Sequence, residues 1–208
     1  MKKIVCYGDS NTFGYIPGKG GRYDCRTRWP GKLQDLLGAS YEVIEEGLCG
    51  RTTAFKDMTC SGKCGLDTVG EAIRNHQPVD LFVVMLGSND CKTQFHASAV
   101  QIKNALEKIV KEAASHAAKS FQTLLIAPAP ITENVLKSGF GTEFDETSLK
   151  VSRELAAEYK KLAEALGCGF LDASEAVCAS VTDGLHLDKN GHLMLACAVE
   201  KRIKEMQL

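Results

Sequence analysis

The sequence has no long apolar run and no excess of charge of either sign. No stretch of its 208 residues approaches the length of a membrane-spanning helix, so we expect no membrane partner. The 25 Lys and Arg residues and the 26 Asp and Glu residues are scattered along the chain and leave a net charge of −1. Because this balance predicts no basic surface, a nucleic-acid partner is not expected either.

Features of an exported protein are also missing. The basic residues Lys2 and Lys3 are followed by a short apolar run before Gly8, which is too short for the core of a signal peptide. The nine cysteines are odd in number and dispersed. Cys60 and Cys64 have near-metal spacing, but no second pair completes a zinc site. We therefore expect a cytoplasmic protein with reduced thiols and no bound metal.

Glycine-rich nucleotide motifs are absent as well. The first predicted strand does not end in Gly-x-Gly-x-x-Gly, and the turn Gly8–Thr12 lacks the P-loop pattern, so we expect no nucleotide cofactor. One non-enzymatic alternative stays open at this point. A helix that starts after this turn presents backbone N–H groups, which bind anions such as phosphate.

What the chain has is a regular alternation of predicted strands and helices. Residues 81–86 form an unbroken apolar run, which is typical of a parallel strand covered on both faces. Apolar residues at helical spacing predict amphipathic helices between the strands. Together they predict a single α/β domain over residues 1–208 with a parallel sheet. The predicted strands are 4–7, 42–45, 81–86, 123–127 and 170–171; the predicted helices contain Leu33 (starting near Trp29 and stopping at Gly38), Val69, Leu106, Tyr159 and Val199.

Polar turns follow the first three predicted strands, at Gly8–Thr12, Gly47–Thr53 and Gly87–Asp90. The carboxyl ends of parallel strands share one edge of the sheet, and the ligand crevice of open α/β folds lies along that edge. The sequence therefore predicts a functional site there.

Ser10, in the first of these turns, has two interpretations. A sharp turn after a buried strand lifts a hydroxyl clear of the sheet, where it acts as a nucleophile if a base is near. Alternatively, Asp9 or Ser10 simply caps the helix that follows. Taken alone, this turn favours capping, and only the later turns favour the nucleophile.

Later residues supply what acyl transfer requires. Gly50, after the second strand, lets a backbone N–H approach a ligand closely, and Asn89, after the third, donates through its side-chain amide. Both are candidate donors to an oxyanion. Asp183 and His186 are three residues apart, so one loop carries a base and the carboxylate that orients it, with Gly184 easing the turn.

Other histidines offer alternatives. His192, at a helix start, competes with His186 for the role of the base, but the carboxylate three residues before His186 favours the latter. His96 is a candidate for lining the crevice. His76 and His116 are predicted to be solvated on helix surfaces or ends.

Three charged residues beside the turns have ordinary roles available. Asp9 and Asp90 are predicted to cap helices or to tie their turns by side-chain to backbone hydrogen bonds. Arg51, next to Gly50, is either structural or a substrate contact, and the sequence leaves both open.

These turns resemble the four sequence blocks of the SGNH (GDSL-type) hydrolases, in the family's order along the chain. The four letters of the family name fall on Ser10, Gly50, Asn89 and His186. The stretches 28–29, 42–53 and 85–90 resemble the arylesterase and acyltransferase branch in particular. One position departs from the GDSL pattern, since Asn11 stands where the family name has Leu.

The resemblance implies a three-layer α/β/α, flavodoxin-like fold with a five-stranded parallel sheet. It further implies that Ser10 is the nucleophile, His186 the base and Asp183 its orienting carboxylate. The backbone N–H groups of Ser10 and Gly50 and the side-chain amide of Asn89 would form the oxyanion hole. No cofactor is implied.

The expected function is that of a serine esterase for short-chain, acetyl-type esters, with acyl transfer or perhydrolysis as side activities. A carbohydrate O-deacetylase of the same fold is the enzymatic alternative. The expected partner is a small-molecule ester, and the branch resembled implies a homo-oligomer. The loops Gly14–Arg28 and Pro130–Asp145 are expected to rim the pocket.

Overall fold

A five-stranded sheet organises the described part of the chain, which in this computed structural model comprises residues 1–58 and 60–208. The strand order is β2-β1-β3-β4-β5 and every neighbouring pair is parallel, as expected. The strands are β1 (Lys2–Gly8), β2 (Tyr41–Gly47), β3 (Leu81–Met85), β4 (Gln122–Ala127) and β5 (Gly169–Asp172).

The helices fall between the strands where the apolar spacing predicts them. The first long helix ends before Gly38, whose φ of +72° is readily adopted by glycine alone. The short helix directly after β1 is the one that Asp9 or Ser10 was considered to cap, whereas the 3-10 turn at Glu133–Lys137 was not predicted. The α-helices are α1 (Ser10–Phe13), α2 (Trp29–Leu37), α3 (Gly65–Asn75), α4 (Ala99–Ser115), α5 (Glu146–Leu166) and α6 (Lys189–Glu205).

Helices cover both faces of the sheet and make three layers. Successive side chains of a strand point to opposite faces, so Ile4 and Cys6 enter one core while Val5 and Tyr7 enter the other. Helices α2 and α6 close the first core, and α3, α4 and α5 close the second. All five residues of β3 are buried because the strand is covered on both sides, which explains its unbroken apolar sequence.

Two glycines allow the first turn to lie close against the sheet. Gly8 and Gly47 face each other in the register of β1 and β2. A Cβ on Gly47 would lie 2.2 Å from the backbone nitrogen of Phe13, and one on Gly8 would lie 2.1 Å from Oγ1 of Thr12. Only residues without side chains permit this approach, which seats α1 and its first residue, Ser10, on the carboxyl edge of the sheet.

Candidate active site

Ser10 is the first residue of α1 and follows β1 after a single intervening residue. That residue, Asp9, is the N-cap of the helix, and its Oδ1 accepts a hydrogen bond from the backbone N–H of Asn11 at 2.9 Å. Capping is therefore done by Asp9, and the hydroxyl of Ser10 is left for another partner.

That partner is His186, from the loop before α6. Nε2 of His186 lies 2.9 Å from Oγ of Ser10, and Nδ1 lies 2.8 Å from Oδ2 of Asp183. The other carboxylate oxygen of Asp183 accepts from the backbone N–H groups of Leu185 and His186 at 3.1 and 3.0 Å. The structure thus joins three of the predicted site residues in one hydrogen-bonded chain.

Gly184 makes the Asp183–His186 loop possible. Its φ of +68° is in the left-handed region, and a Cβ there would lie 2.4 Å from the backbone nitrogen of Val135. The carbonyl of Gly184 accepts from the N–H of Thr132, so the loop packs directly against residues 130–145.

The protonation of the three groups follows from these contacts. Burial acts to raise the pKa of Asp183, but its hydrogen bonds from the side chain and backbone of His186 outweigh burial, and the pKa is lowered. The ionised carboxylate only accepts, so Nδ1 of His186 carries a proton. In the neutral ring Nε2 is then an acceptor, and the hydroxyl of Ser10 donates to it.

Gly50 and Asn89 follow the strands on either side of β1. β2 ends two residues later than predicted and β3 one residue earlier, so Gly50 lies three residues beyond β2 and Asn89 four residues beyond β3. Gly50 has a φ of +80°, a conformation that favours glycine. One N–H of the Asn89 amide donates to the carbonyl of Arg51 at 3.1 Å. Both residues are on the same sheet edge as Ser10, and their role as oxyanion donors stays a prediction.

Arg51 has a structural position, which resolves the two roles left open for it. Its buried guanidinium donates from Nη1 to the carbonyls of Gly8, at 2.8 Å, and Glu46. It also lies 4.0 Å from the ring centre of Tyr7. Arg51 therefore ties the ends of β1 and β2 together, and through its own carbonyl it holds Asn89.

Two further carboxyl groups are buried beside the site. Burial raises the pKa of Asp9 to about 6, with His186 and Arg51 among the groups that lower it in part. Burial likewise raises the pKa of Asp90 to about 6, although Thr53 donates to it from its backbone N–H and its hydroxyl. Asp9 caps a helix, as predicted, whereas Asp90 accepts from Thr53 and so joins its own turn to the turn after β2.

The remaining histidines lie outside this hydrogen-bonded chain. His192 is buried against Trp29, whose backbone N–H donates to Nδ1 at 3.3 Å. His96 is exposed. His76 and His116 stand at the ends of α3 and α4, as predicted, but they are only partly solvated. Both are half-buried, and they lie 2.6 and 2.9 Å from Glu46 and Glu112.

Two aromatic residues that sequence reasoning missed contact the imidazole of His186. The ring centre of Tyr15 lies 4.3 Å from that of His186, and the ring centre of Phe140 lies 5.2 Å away. They come from the loops Gly14–Arg28 and Pro130–Asp145, where the only available signal was an aromatic residue in a long loop.

Neither a metal site nor a membrane span is found in the part of the chain that the structure describes. Within residues 1–58 and 60–208, no three His, Cys, Asp or Glu side chains are grouped so that they could hold a metal ion. No helix in those ranges is long and apolar enough to cross a bilayer. All nine cysteines are free.

A serine, a histidine and a carboxylate joined in this way on a three-layer α/β/α fold are the arrangement found in serine hydrolases. The model of the GDSL-like lipase/acylhydrolase family matches residues 6–194, and the chain belongs to this family. It is a carboxylic ester hydrolase of the SGNH type, and the non-enzymatic anion-binding alternative is set aside.

Several solved structures share the fold over almost the whole chain. Est24, a carbohydrate acetylesterase from Sinorhizobium meliloti, is 30% identical with a TM-score of 0.93, covering 99% of this chain and 100% of that one. A carbohydrate acetylesterase family member from the same organism is 33% identical (TM-score 0.92, 99% of both chains). The M. smegmatis aryl esterase is 29% identical (TM-score 0.91, 99% of both chains). No curated protein matches the chain.

Proposed function

We propose that the protein hydrolyses short-chain, acetyl-type esters through an acyl-enzyme on Ser10. The observation that carries this proposal is the unbroken hydrogen-bonded chain from Oγ of Ser10 through His186 to Asp183. Such a chain removes the proton from a serine hydroxyl at the moment it attacks a carbonyl.

In the first step His186 accepts the proton of Ser10 through Nε2 while Oγ forms a bond to the ester carbonyl carbon. Asp183 holds the proton on Nδ1 and stabilises the imidazolium. His186 then gives the proton to the leaving alcohol. In the second step a water molecule attacks the acyl carbon and His186 accepts its proton. His186 returns that proton to Oγ of Ser10 as the bond from Oγ to the acyl carbon breaks, and the carboxylic acid leaves.

The developing oxyanion is assigned to three donors: the backbone N–H groups of Ser10 and Gly50 and the free N–H of the Asn89 amide. Donors fixed before the reaction are worth about 3–4 kcal/mol of barrier each when one is deleted. The support for this role is that all three residues follow adjacent strands, and that Arg51 joins Gly8, Glu46 and Asn89.

The test is hydrolysis of p-nitrophenyl acetate by wild type, Ser10→Ala and Ser174→Ala. Ser174 is an exposed serine at Ala173–Glu175 whose hydroxyl donates to Asp172 and not to a histidine, and it serves as the matched control. We expect Ser10→Ala to lose at least about 10³-fold in kcat and the control to keep its rate. A serine-directed fluorophosphonate should add its mass to the Ser10 peptide alone. Wild-type activity in Ser10→Ala would refute the acyl-enzyme.

A second candidate is O-deacetylation of carbohydrates, which the two Sinorhizobium meliloti structures favour. A pocket of about 470 Å³, lined by polar and apolar residues alike, lies beside the loop of His186, and Asp24, Thr182 and Asp188 are among its lining residues. Ser180, also in its wall, donates from its backbone N–H to the carbonyl of His186 at 2.7 Å. The carboxylates and hydroxyl of these residues are groups that hydrogen-bond to sugar hydroxyls, which supports this candidate. The comparison of kcat/KM for acetylated xylo-oligosaccharides and phenyl acetate separates the two.

The proposal also includes the molecule that accepts the acyl group from Ser10. An alcohol or peroxide that replaces water in the second step gives acyl transfer or a peracid, and product analysis with added alcohol measures the partition.

The chain is proposed to act as one domain over residues 1–208, in the cytoplasm, as a homo-oligomer without a nucleic-acid partner. Light scattering after size exclusion measures the number of subunits.

A further inference from the structure

The imidazole of His186 has contacts beyond its two nitrogens. Its ring centre forms a triangle with those of Tyr15 and Phe140, with sides of 4.3 Å to Tyr15, 5.2 Å to Phe140 and 6.0 Å between the two aromatic rings. We call these three rings the aromatic cluster. Tyr15 is tilted by 35° to the imidazole, which is close to an offset stack, and Phe140 is tilted by 59°.

The loop that carries Tyr15 is fastened at several points. The N–H of Tyr15 donates to the carbonyl of Ser10 at 3.0 Å, so the ring is anchored to the nucleophile's own residue. Tyr15 also pairs with Arg22 in an antiparallel bridge, and the Arg22 guanidinium donates to Glu45 at 2.9 Å. The backbone at Tyr15 is thus held against the sheet edge, from where its ring reaches His186.

Phe140 is fastened independently. Its N–H donates to Oγ of Ser138 at 3.1 Å, and its carbonyl accepts from Glu143 at 2.9 Å. The carbonyl of Glu143 accepts in turn from the N–H of Thr93, just after the Asn89 turn, at 2.9 Å. Two loops with separate anchors therefore place one aromatic ring each against the same imidazole.

We propose that Tyr15 and Phe140 are positioning residues that act on the reaction through His186. The inference rests on the proposed function, in which the imidazole becomes a cation during each step. A π face within about 6 Å of a cation stabilises it by about 0.5–2 kcal/mol, and the cluster restricts rotation of the ring away from Ser10. The contact is ring to ring, so it is the ring of Tyr15, not its hydroxyl, that carries the effect.

The experiment measures kcat and KM for p-nitrophenyl acetate in Tyr15→Leu, Tyr15→Phe and Phe140→Leu. Phe121→Leu is the matched control, because Phe121 is a half-buried aromatic that packs on Phe82 instead. We expect Tyr15→Leu to lower kcat about 3- to 30-fold with KM changed less than about twofold, and Phe140→Leu to have the same sign and a smaller size. Tyr15→Phe should restore the wild-type kcat, and the control should keep it.

A double-mutant cycle with His186→Ala shows whether Tyr15 acts through the imidazole. Adding Tyr15→Leu to His186→Ala should leave the residual rate unchanged. The same loss in both backgrounds, a change in KM alone, or an equal loss in Tyr15→Phe and Tyr15→Leu would each overturn the proposal. Full activity in His186→Ala would instead refute the proposed function, so the two failures are distinct. Thermal unfolding of each variant identifies any that fail to fold.

Discussion

Two buried histidines stand six residues apart at the same end of the chain, and their surroundings differ in one respect. Nδ1 of His186 faces a carboxylate, whereas Nδ1 of His192 accepts from the backbone N–H of Trp29. A carboxylate requires a proton on Nδ1, while a backbone N–H forbids one. The first ring therefore presents a basic Nε2 to Ser10, and the second is held neutral with its proton on Nε2.

The pKa of His192 agrees with that difference. Burial lowers this pKa to about 4. The charge of Asp188 acts to raise the pKa, and the charges of Arg28 and His186 lower it further. Its Nε2 has no hydrogen-bond partner within residues 1–58 and 60–208. Burial thus holds His192 neutral, whereas Asp183 supplies a hydrogen-bond acceptor to Nδ1 of His186.

The largest expected effect separates the two histidines by activity. His186→Gln should lower kcat for p-nitrophenyl acetate by about 10⁶-fold, because the base is removed. His192→Gln keeps an acceptor for the N–H of Trp29 and should retain kcat within about twofold. Steady-state kinetics on both variants measures this. Equal losses in the two would mean that the local carboxylate does not distinguish them.

The next effect comes from the carboxylate itself. Asp183→Asn should lower kcat by about 10⁴-fold, since an amide no longer fixes the proton on Nδ1. Asp188→Asn is the matched control: Asp188 is the N-cap of α6, and Asn serves equally well at an N-cap. Steady-state kinetics measures kcat for both variants, and circular dichroism checks that they fold. An active Asp183→Asn would contradict the tautomer argument.

His192 should also make the protein sensitive to acid. Its folded-state pKa of about 4 lies below an unfolded value of about 6.5, so the unfolded chain binds more protons between them. Neutral His192 therefore makes its full contribution to the free energy of unfolding above about pH 6.5. As the pH falls towards 4, about 3 kcal/mol of that contribution is lost. His192→Gln should remove this part of the dependence. Urea unfolding of both proteins between pH 4 and 7.5 measures the difference, and parallel curves would show no such linkage.

Asp90 should have the opposite effect on how stability depends on pH, and a slightly smaller one. Its folded-state pKa of about 6 lies above its ordinary value of 3.8, so the folded chain keeps the proton longer. Between these values its contribution falls as the pH rises, by slightly less than about 3 kcal/mol in total. In the same urea experiment, the free energy of unfolding of Asp90→Asn relative to that of wild type should be higher at pH 7.5 than at pH 4. A constant difference across that range would contradict the raised pKa.

Much of the fold was predictable because its signals are local. The apolar run at 81–86 and the helical spacing from Ala99 to Ala113 each need only a short window of sequence. Ser10, Asp183 and His186 were predictable for a related reason: each stands in a turn whose position at a strand or helix end is read from its neighbours.

Other features depend on contacts that no local pattern encodes. Arg51 donates to the main-chain carbonyls of Gly8 and Glu46, and carbonyls are the same in every residue. Tyr15 and Phe140 reach His186 from loops without periodicity, whose paths are set by distant anchors. The contact between His76 and Glu46 was missed because a helix end and a strand end meet only in the assembled layers, whereas Glu112 lies one helical turn before His116.

The hydrogen bond between Ser10 and His186 joins two residues that are 176 positions apart in the chain. Local helices and neighbouring strands can form before that closure, but the reacting pair cannot. Ester cleavage is thus a reporter of completed folding: during refolding, hydrolysis should return after the circular dichroism signal. During synthesis on the ribosome, a nascent chain would be inert until the segment carrying His186 had emerged.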